Sequence, residues 1–329
     1  MIKNIILIVG FLLGMTACHK DKEKQNHLAT FTSPVQITVP DFNADSAYHY
    51  TAKQVAFGPR VPNTQSHKDC GIYLVSELKR FGAHVIEQEV TLYTYDKKPL
   101  EAKNIIASFN PEHKSRVLLC AHWDSRPFAD YDPDPKNHHT PIDGANDGAG
   151  ACGILLEIAR QIGISNINIG IDIILFDAED WGSPKFENPR SSGWCLGSKY
   201  WSENPHTFDY SANYGILLDM ASAKDAHFYK EYYSMYYAND IVKKVWETAH
   251  SLGHGEYFIN KRGGGIEDDH IPINQIRRIP CIDIIQYDPD SETGFGHYWH
   301  TLSDTMDEVS KETMSAVGKT VMHVIYNEK

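Results

Sequence analysis

Several classes of protein are excluded by what this 329-residue sequence lacks. It has no Cys-x-x-Cys pair, so the common cysteine-built zinc sites are excluded. It has no excess of basic residues, and its net charge of −12 makes nucleic acid or an anionic membrane surface an unsuitable partner. It also has no internal repeat and no second linker, so we predict a single globular domain after the N-terminal segment.

The N-terminus resembles an export signal followed by a lipidation site. One lysine precedes a short apolar core at residues 5–13, which is too short to span a membrane. Met15-Thr16-Ala17-Cys18 resembles a bacterial lipobox, so Cys18 is the expected lipidated first residue, although an ordinary cleaved signal is the alternative. We predict a signal peptide at 1–17, a flexible tether at 18–43 and a catalytic domain at 44–329. The protein would be exported and lipid-anchored on the periplasmic side or the cell surface.

The pattern of apolar residues predicts an α/β domain. Continuous apolar and β-branched runs predict buried strands at 117–121, 171–176, 214–218 and 279–285, and further strands are expected at 85–93 and 104–109. Helices are expected up to residue 57 from a cap at Asp45 or Ser46, and at 66–81, 150–162, 239–252 and 307–326. This alternation predicts a central, mostly parallel mixed sheet flanked by helices.

Acidic residues and histidines follow several of these strands or lie in loops. They are His122, Asp147, Glu179, Asp180, Asp219 and His300. Imidazole nitrogen and carboxylate oxygen suit zinc, and polar clusters at the carboxyl ends of central strands are typical of active sites. Each residue alone is more often structural or solvated, and Glu179-Asp180 alone would be read as a solvated acidic loop. Their joint occurrence favours a catalytic metal site.

These motifs, in order, resemble a known clan of enzymes. Gly58-Pro59-Arg60, His122-x-Asp124, the glycine-rich Asp147 loop, Glu179-Asp180, Leu218-Asp219 and Trp299-His300-Thr301 are similar to motifs of the zinc aminopeptidase-like clan. Two further features, Asp268-Asp269-His270-Ile271-Pro272 and the tryptophan before His300, resemble the glutaminyl cyclases within it. The resemblance covers about residues 45–329 and points to a Bacteroidetes-type member of the animal (type II) class.

The resemblance implies a role for each matching residue. One zinc ion per chain would be bound by Asp147, Asp180 and His300. Glu179 matches the proton shuttle, and Asp219 and Asp268 match carboxylates of the surrounding hydrogen-bond network. Trp299 matches a wall of the substrate pocket. Trp194 is a candidate for a second wall and is equally well read as a core or rim aromatic.

Three positions depart from the animal enzymes. Asp180 replaces a glutamate ligand, and Asp283 stands where they have a histidine. Their disulfide has one match in Cys152, but Cys120 is displaced by one residue, which in a strand turns its side chain to the other face. The pairing of Cys70, Cys120, Cys152, Cys195 and Cys281 therefore stays open, and their odd number leaves at least one thiol unpaired.

The implied activity is that of a glutaminyl-peptide cyclotransferase, which converts an N-terminal glutamine into pyroglutamate and releases ammonia. A zinc aminopeptidase with two metals is the first alternative, because the five positions that hold a metal pair in that clan are all occupied here, by His122, Asp147, Asp180, Asp219 and His300. A lipid-anchored binding protein without catalysis is the second, although Glu179 argues against it. We expect a monomer that acts on peptides with N-terminal glutamine, does not bind nucleic acid, and contacts a membrane only through its lipid.

Overall fold

A six-stranded β-sheet forms the centre of the structure, a computed structural model that describes residues 38–187 and 193–328. Its strands are β1 (His84–Tyr93), β2 (Pro99–Phe109), β3 (Arg116–His122), β4 (Gly170–Phe176), β5 (Tyr214–Asp219) and β8 (Cys281–Ile285). A small second sheet pairs β6 (Phe228–Lys230) with β7 (Phe258–Arg262). The predicted signal peptide, Cys18 and most of the predicted tether lie outside the described residues.

The strand order in the large sheet is β1-β2-β4-β3-β5-β8. Strands β4, β3, β5 and β8 run parallel, whereas β1 and β2 are antiparallel to their neighbours at one edge. The prediction of a mixed, mostly parallel sheet is therefore confirmed. Every residue of β3, β4 and β5 is buried, because side chains on both faces pack against helices or loops.

Helices cover both faces of this sheet. They are α1 (Ala44–Val55), α2 (Gln65–Arg80), α3 (Ala151–Ile164), α4 (Leu196–Glu203), α5 (Tyr232–Ser251), α6 (His270–Pro272) and α7 (Lys311–Tyr326). The largest apolar cluster includes residues of α1, α2, α3, α5 and α7, and a second cluster contains Trp201 of α4. Among the described residues, no helix is both long and apolar enough to span a lipid bilayer.

Several element boundaries differ from the predicted ones. Helix α1 is capped by Asn43, whose side chain accepts the backbone N–H of Ser46, rather than by Asp45 or Ser46. Helix α5 begins seven residues before the predicted residue 239, since Glu231 caps it and a non-helical Ala238 interrupts it just before that position. Strand β8 begins at Cys281, after Pro280, and α7 begins at Lys311, after its cap Ser310.

The folded domain also begins earlier than the predicted boundary at residue 44. Phe42, assigned to the tether, is only 6% exposed and packs against Gly318 of α7. The backbone N–H of Asn43 donates to the carboxylate of Glu157 in α3, at 3.1 Å. The end of the predicted tether is therefore part of the domain, because its apolar side chain has a buried place to pack.

Candidate active site

The candidate residues converge at the carboxyl ends of the parallel strands. His122 ends β3, Glu179 and Asp180 follow β4, and Asp219 ends β5. Loops bring the remaining residues to the same edge: Asp147 precedes α3, Asp268 precedes α6, and His300 follows β8. A cavity of about 510 Å³ at this edge is lined by the predicted site residues Asp147, Glu179, Asp180, Trp194, Asp219, Asp268, Trp299 and His300.

Asp147, Asp180 and His300 form a buried group that fits a metal ion. One ligand atom from each lies within 4.8 Å of the others. His300 Nε2 is 3.2 Å from Asp180 Oδ1 and 3.6 Å from Asp147 Oδ2. Neither carboxylate oxygen of Asp180 receives a hydrogen bond, although the residue is only 1% exposed. Arg126 Nη1 lies 3.5 Å from Asp180 Oδ1. Because a buried carboxylate without a hydrogen bond is costly, a cation held between these side chains matches the donor set.

The protonation of His300 also suits a metal ligand. Burial and then the guanidinium of Arg126 hold the pKa of His300 well below its usual range. The imidazole is therefore neutral near pH 7, with a lone pair available on one ring nitrogen. Burial, followed by the nearby carboxylate of Asp147, raises the pKa of Asp180. A bound cation would reverse this effect by favouring the ionised carboxylate.

A second group that could hold a metal lies directly beside the first. His122 Nε2 is 2.9 Å from Asp147 Oδ1 and 3.2 Å from Asp219 Oδ1, and all three residues are buried. Burial lowers the pKa of His122, but hydrogen bonds to Asp124, Asp147 and Asp219 raise it well above its usual value overall. His122 is not among the residues that line the cavity, and Asp147 is shared by the two groups. The geometry therefore accommodates either one metal or two.

One carboxylate fixes the backbone that carries Glu179 and Asp180. The side chain of Asp124 accepts the backbone N–H of Glu179 at 3.1 Å and that of Asp180 at 3.2 Å. Nη1 of the buried Arg126 donates to the backbone carbonyl of Asp180 at 3.1 Å, and the same guanidinium binds Asp130. The two adjacent carboxylates are therefore oriented by charged hydrogen bonds to their own main chain.

The loop carrying Asp147 is fixed in a similar way. Asp304 accepts the backbone N–H groups of Asn146 and Asp147, at 2.8 and 3.1 Å. Arg60, which is fully buried, donates to the carbonyl of Gly144 at 2.8 Å. At Gly148 a side chain cannot be accommodated, because a Cβ atom would lie 2.4 Å from the backbone oxygen of His122. Glycine here lets the loop approach β3 closely enough to bring Asp147 against His122.

Glu179 lies next to the candidate metal ligands and is 9% exposed. Burial is the main reason why its pKa is raised well above the usual range, with Asp268 adding to the effect and His122 opposing it. The thiol of Cys195 donates to Glu179 Oε1 at 3.2 Å. Ligand-type atoms of Glu179, Cys195 and Asp268 lie within 4.8 Å of one another. Glu179 and Asp268 thus border the cavity, and the thiol of Cys195 lies against Glu179.

Two indole rings flank His300 at the cavity. The ring of Trp299 stacks on His300 with centroids 3.8 Å apart, and that of Trp194 lies nearly parallel to His300 at 5.8 Å. Trp194 packs so closely over Gly182 that a Cβ there would lie 1.8 Å from the indole. Tyr131 and Phe295 support Trp299 at 4.5 and 4.7 Å. Both tryptophans therefore form apolar walls beside the polar cluster.

Asp283 and the displaced Cys120 are two of the three positions that depart from the animal enzymes. Asp283 is 1% exposed and lies outside the cavity lining, and neither of its carboxylate oxygens has a hydrogen-bond partner. Cys120 and Cys152 pack in different apolar clusters, as the one-residue displacement along β3 predicts. Cys70 and the other four cysteines of the described part of the chain are all free thiols.

Sequence reasoning did not assign roles to Asp304, Arg126 or Cys195. Asp304 lies four residues after His300, and Arg126 two after Asp124, so their only sequence signal is proximity to a motif. Cys195 follows the candidate pocket residue Trp194. Their contacts are with backbone groups or with distant side chains, which residue spacing does not reveal.

Comparisons with known proteins agree with this geometry. Residues 104–325 match Peptidase family M28. A glutaminyl-peptide cyclotransferase of Boiga irregularis is 25% identical over 249 residues, which cover 66% of this chain. This chain spans 62% of the length of that relative.

Two solved structures resemble this chain over their whole length. A Zn-dependent exopeptidase from Parabacteroides distasonis is 59% identical with a TM-score of 0.88, and the match covers 88% of this chain and 100% of that one. A glutaminyl cyclase from Tannerella forsythia is 56% identical with a TM-score of 0.87, with the same coverage of 88% and 100%. The resemblance to glutaminyl cyclases is confirmed, and the chain belongs to Peptidase family M28.

Proposed function

We propose that this chain is a zinc-dependent glutaminyl-peptide cyclotransferase, which converts the N-terminal glutamine of peptides into pyroglutamate and releases ammonia. The observation that carries the proposal is the position of Asp268 beside Glu179 in the cavity that holds the candidate metal ligands. Two acidic side chains there suit a reaction in which one amine attacks and another leaves. The similarity to the Tannerella forsythia glutaminyl cyclase supports the same assignment.

Asp147, Asp180 and His300 would hold the zinc ion, one per chain. When bound, zinc supplies Lewis-acid polarisation of the glutamine γ-carbonyl. The neutral imidazole of His300 and the carboxylate of Asp180, which accepts no hydrogen bond, fit this role. Asp124, Arg126 and the loop contacts described above would keep these ligands in place through their main chain.

Glu179 would transfer the protons of the reaction. The α-amine of the substrate attacks its own γ-carbonyl carbon, so a new C–N bond forms and the bond to the amide nitrogen breaks. Glu179 takes a proton from the attacking nitrogen and returns one to the departing nitrogen, which leaves as ammonia. Burial of Glu179 raises its pKa, which makes the carboxylate a stronger base toward the attacking nitrogen. Asp268 would accept a hydrogen bond from one of the two nitrogens, and Asp219 would complete the surrounding network.

The indole walls would fold the glutamine side chain into its ring-closing geometry. The nucleophile and the carbonyl belong to the same residue, so the protein has to restrict their relative position rather than bring two molecules together. Trp299 and Trp194 present flat apolar surfaces on either side of the site and would exclude competing water. This arrangement favours attack by the amine over hydrolysis.

A two-metal aminopeptidase is the second candidate, and a specific observation favours it. His122, Asp147 and Asp219 are positioned to hold another metal beside the first, and the Parabacteroides distasonis neighbour is named an exopeptidase. The test is to incubate the purified protein with Gln-peptides and with Leu-peptides. Ammonia release from Gln-peptides with one zinc per chain supports the cyclase. Amino-acid release from Leu-peptides with two zincs supports the peptidase, and no turnover of either supports a binding protein.

We further propose that the protein is exported, lipidated at Cys18 and monomeric. The polar composition of residues 19–27 would allow the domain to extend from a lipid anchor. Replacement of Cys18 by serine should shift the protein from the membrane fraction to the soluble fraction of cells. Equal membrane association of Cys18→Ser and wild type would contradict the anchor. Light scattering of the soluble variant would measure the number of subunits.

A further inference from the structure

A sulfur atom lies beside the proposed general base. Cys195 immediately precedes α4 in the left-handed backbone region, with φ of 57°, and is 8% exposed. Its Sγ is 3.2 Å from Glu179 Oε1, and an oxygen of Asp268 completes a group whose atoms lie within 4.8 Å of one another. This group shares no residue with Asp147, Asp180 and His300, and it contains the only sulfur ligand among the metal-type groups of the described residues.

Two buried carboxyl groups, those of Asp268 and Asp283, have oxygens without hydrogen-bond partners. Asp268 is 3% exposed and lines the cavity, yet its Oδ2 has no hydrogen-bond partner. Neither oxygen of Asp283 has a hydrogen-bond partner, and His270 Nδ1 lies 4.0 Å from its Oδ2. Burial raises the pKa of both carboxyls, as expected for acids that retain a proton when no cation is near. A divalent cation would replace the proton of such a carboxyl group and offset the free-energy cost of burying its negative charge.

We propose that Glu179, Cys195 and Asp268 form a separate site for a thiophilic divalent cation, and that its occupation inhibits the enzyme by capturing Glu179. The inhibitory effect rests on the proposed function, whereas the binding does not. Zinc bonds to sulfur and carboxylate oxygen are about 2.3 and about 2.0–2.2 Å long, so tetrahedral ligand atoms lie about 3.5 Å apart. The group needs only small side-chain movements to reach this spacing.

The binding step is an exchange of a proton for a metal. The Cys195 thiol loses its proton to solvent as the sulfur–metal bond forms, and the carboxylates supply the remaining bonds. Cd²⁺ and Zn²⁺ accept such mixed sulfur and oxygen ligands. Glu179 is the sequence neighbour of the proposed zinc ligand Asp180, so the two cations would be close together. The carboxylates of both sites would offset the repulsion between the two positive ions, as in other two-metal sites.

The direct test is spectroscopic and needs no substrate. Cd²⁺ is added to the zinc-loaded protein, and the ultraviolet absorption of thiolate-to-cadmium charge transfer is recorded. We expect a band that saturates at one equivalent of bound Cd²⁺ per chain. Cys195→Ser should lack the band while keeping a hydroxyl donor toward Glu179. Cys70→Ala, which removes a buried thiol of α2 outside the site, should retain it.

The functional test measures how strongly Cd²⁺, and Zn²⁺ beyond one equivalent, inhibit Gln-peptide turnover in wild type and in each variant. Each variant is normalised to its own rate without added cation. Cys195→Ser should weaken inhibition at least ~10-fold, as expected for loss of a metal contact. Asp268→Asn provides a second variant, whose charge-transfer band should persist but require a higher Cd²⁺ concentration.

The outcomes separate this site from the proposed activity. A band unchanged in Cys195→Ser, or no band in wild type, would overturn the site. Equal inhibition of wild type and Cys195→Ser would locate the inhibitory cation elsewhere, for example at His122, Asp147 and Asp219, and would also overturn it. A Cys195-dependent band in a protein that cyclises no Gln-peptide would support the site and reject the proposed function alone.

Discussion

Glu179 is buried and immediately precedes the candidate metal ligand Asp180, and both features bear on its proposed role as proton shuttle. Glu179→Gln keeps the size of the side chain and its backbone bonds to Asp124 but cannot exchange protons. We expect normal zinc content and a loss of turnover of ~10²–10⁴-fold, the usual contribution of general acid–base catalysis. Steady-state kinetics with Gln-peptides and metal analysis test this, and near wild-type turnover would remove Glu179 from the mechanism.

Asp268 is predicted to act on the substrate and not on zinc. The Asp268→Ala variant removes the acceptor beside Glu179 and leaves Asp147, Asp180 and His300 intact. Turnover of Gln-peptides should fall at least ~10-fold, equivalent to ~1.4 kcal/mol of transition-state stabilisation. Zinc content after dialysis should match wild type. Loss of zinc in parallel with activity would instead make Asp268 part of the metal site.

Asp283 should destabilise the folded protein as pH rises. Burial, followed by Asp268 and Asp219, raises its pKa well above the usual range, whereas an unfolded aspartate titrates near ~3.9. Above that pH the unfolded chain releases a proton that the folded chain retains, so the stability contributed by this group falls as pH increases. Asp283→Asn carries no such proton and should be more stable than wild type at neutral pH.

The gain from Asp283→Asn should grow with pH by up to ~1.4 kcal/mol per unit until the folded carboxyl itself ionises. Denaturant unfolding of both proteins at about pH 5.5 and about pH 7.5 measures this difference. A gain that is equal at both values, or a loss of stability that increases with pH, would contradict the burial argument.

At the scale of elements, the turn after β4 depends on one acceptor. Asp124 accepts the backbone N–H groups of both Glu179 and Asp180, so the proposed proton shuttle and the proposed metal ligand share a support. Asp124→Asn replaces one of the two accepting carboxylate oxygens by an amide nitrogen. That nitrogen is a donor and cannot accept a backbone N–H. We expect zinc affinity to fall ~10–100-fold, as for other residues that orient metal ligands. Competition with a chelating dye measures it, and unchanged affinity would show that the turn holds without Asp124.

The sequence predicts a helix or strand well where the local residue pattern determines it, and poorly where contacts with distant residues determine it. The buried strands β3, β4 and β5 were predictable because continuous apolar runs are typical of strands covered on both faces. Helix α4 was missed because it is short and Cys195 before it makes no side-chain cap. Strand β6 has three residues, too few for a pattern. The tyrosine-rich start of α5 was missed because aromatic residues favour strands.

The same distinction applies to the site. The ligand types and their convergence were predictable, because parallel strands present their carboxyl ends at one edge of the sheet. The supporting contacts of Asp124 and Asp304 were not, because they join side chains to backbone N–H groups of other loops. The thiol of Cys195 beside Glu179 depends on a left-handed residue, which its sequence context does not indicate.

At the scale of the whole molecule, metal binding should contribute to stability. A metal that binds only the folded state stabilises it by about 4.1 kcal/mol when its free concentration is about 1,000 times the Kd. Removal of zinc by a chelator should therefore lower the thermal midpoint of the wild-type protein. Asp180→Ala and His300→Ala should lack zinc and activity, and their midpoints should not respond to the chelator. Full zinc retention in either variant would exclude that residue as a ligand.

The spread of the site along the chain, from His122 to His300, has a consequence for folding kinetics. Strands β3, β5 and β8 become neighbours only after segments of up to about a hundred intervening residues have closed into loops, and such non-local pairings carry an entropic cost that slows folding. Active protein therefore emerges only once the sheet is complete. Recovery of turnover after dilution from denaturant should lag behind the recovery of helical signal, and enzymatic rate becomes a reporter of the last step of refolding.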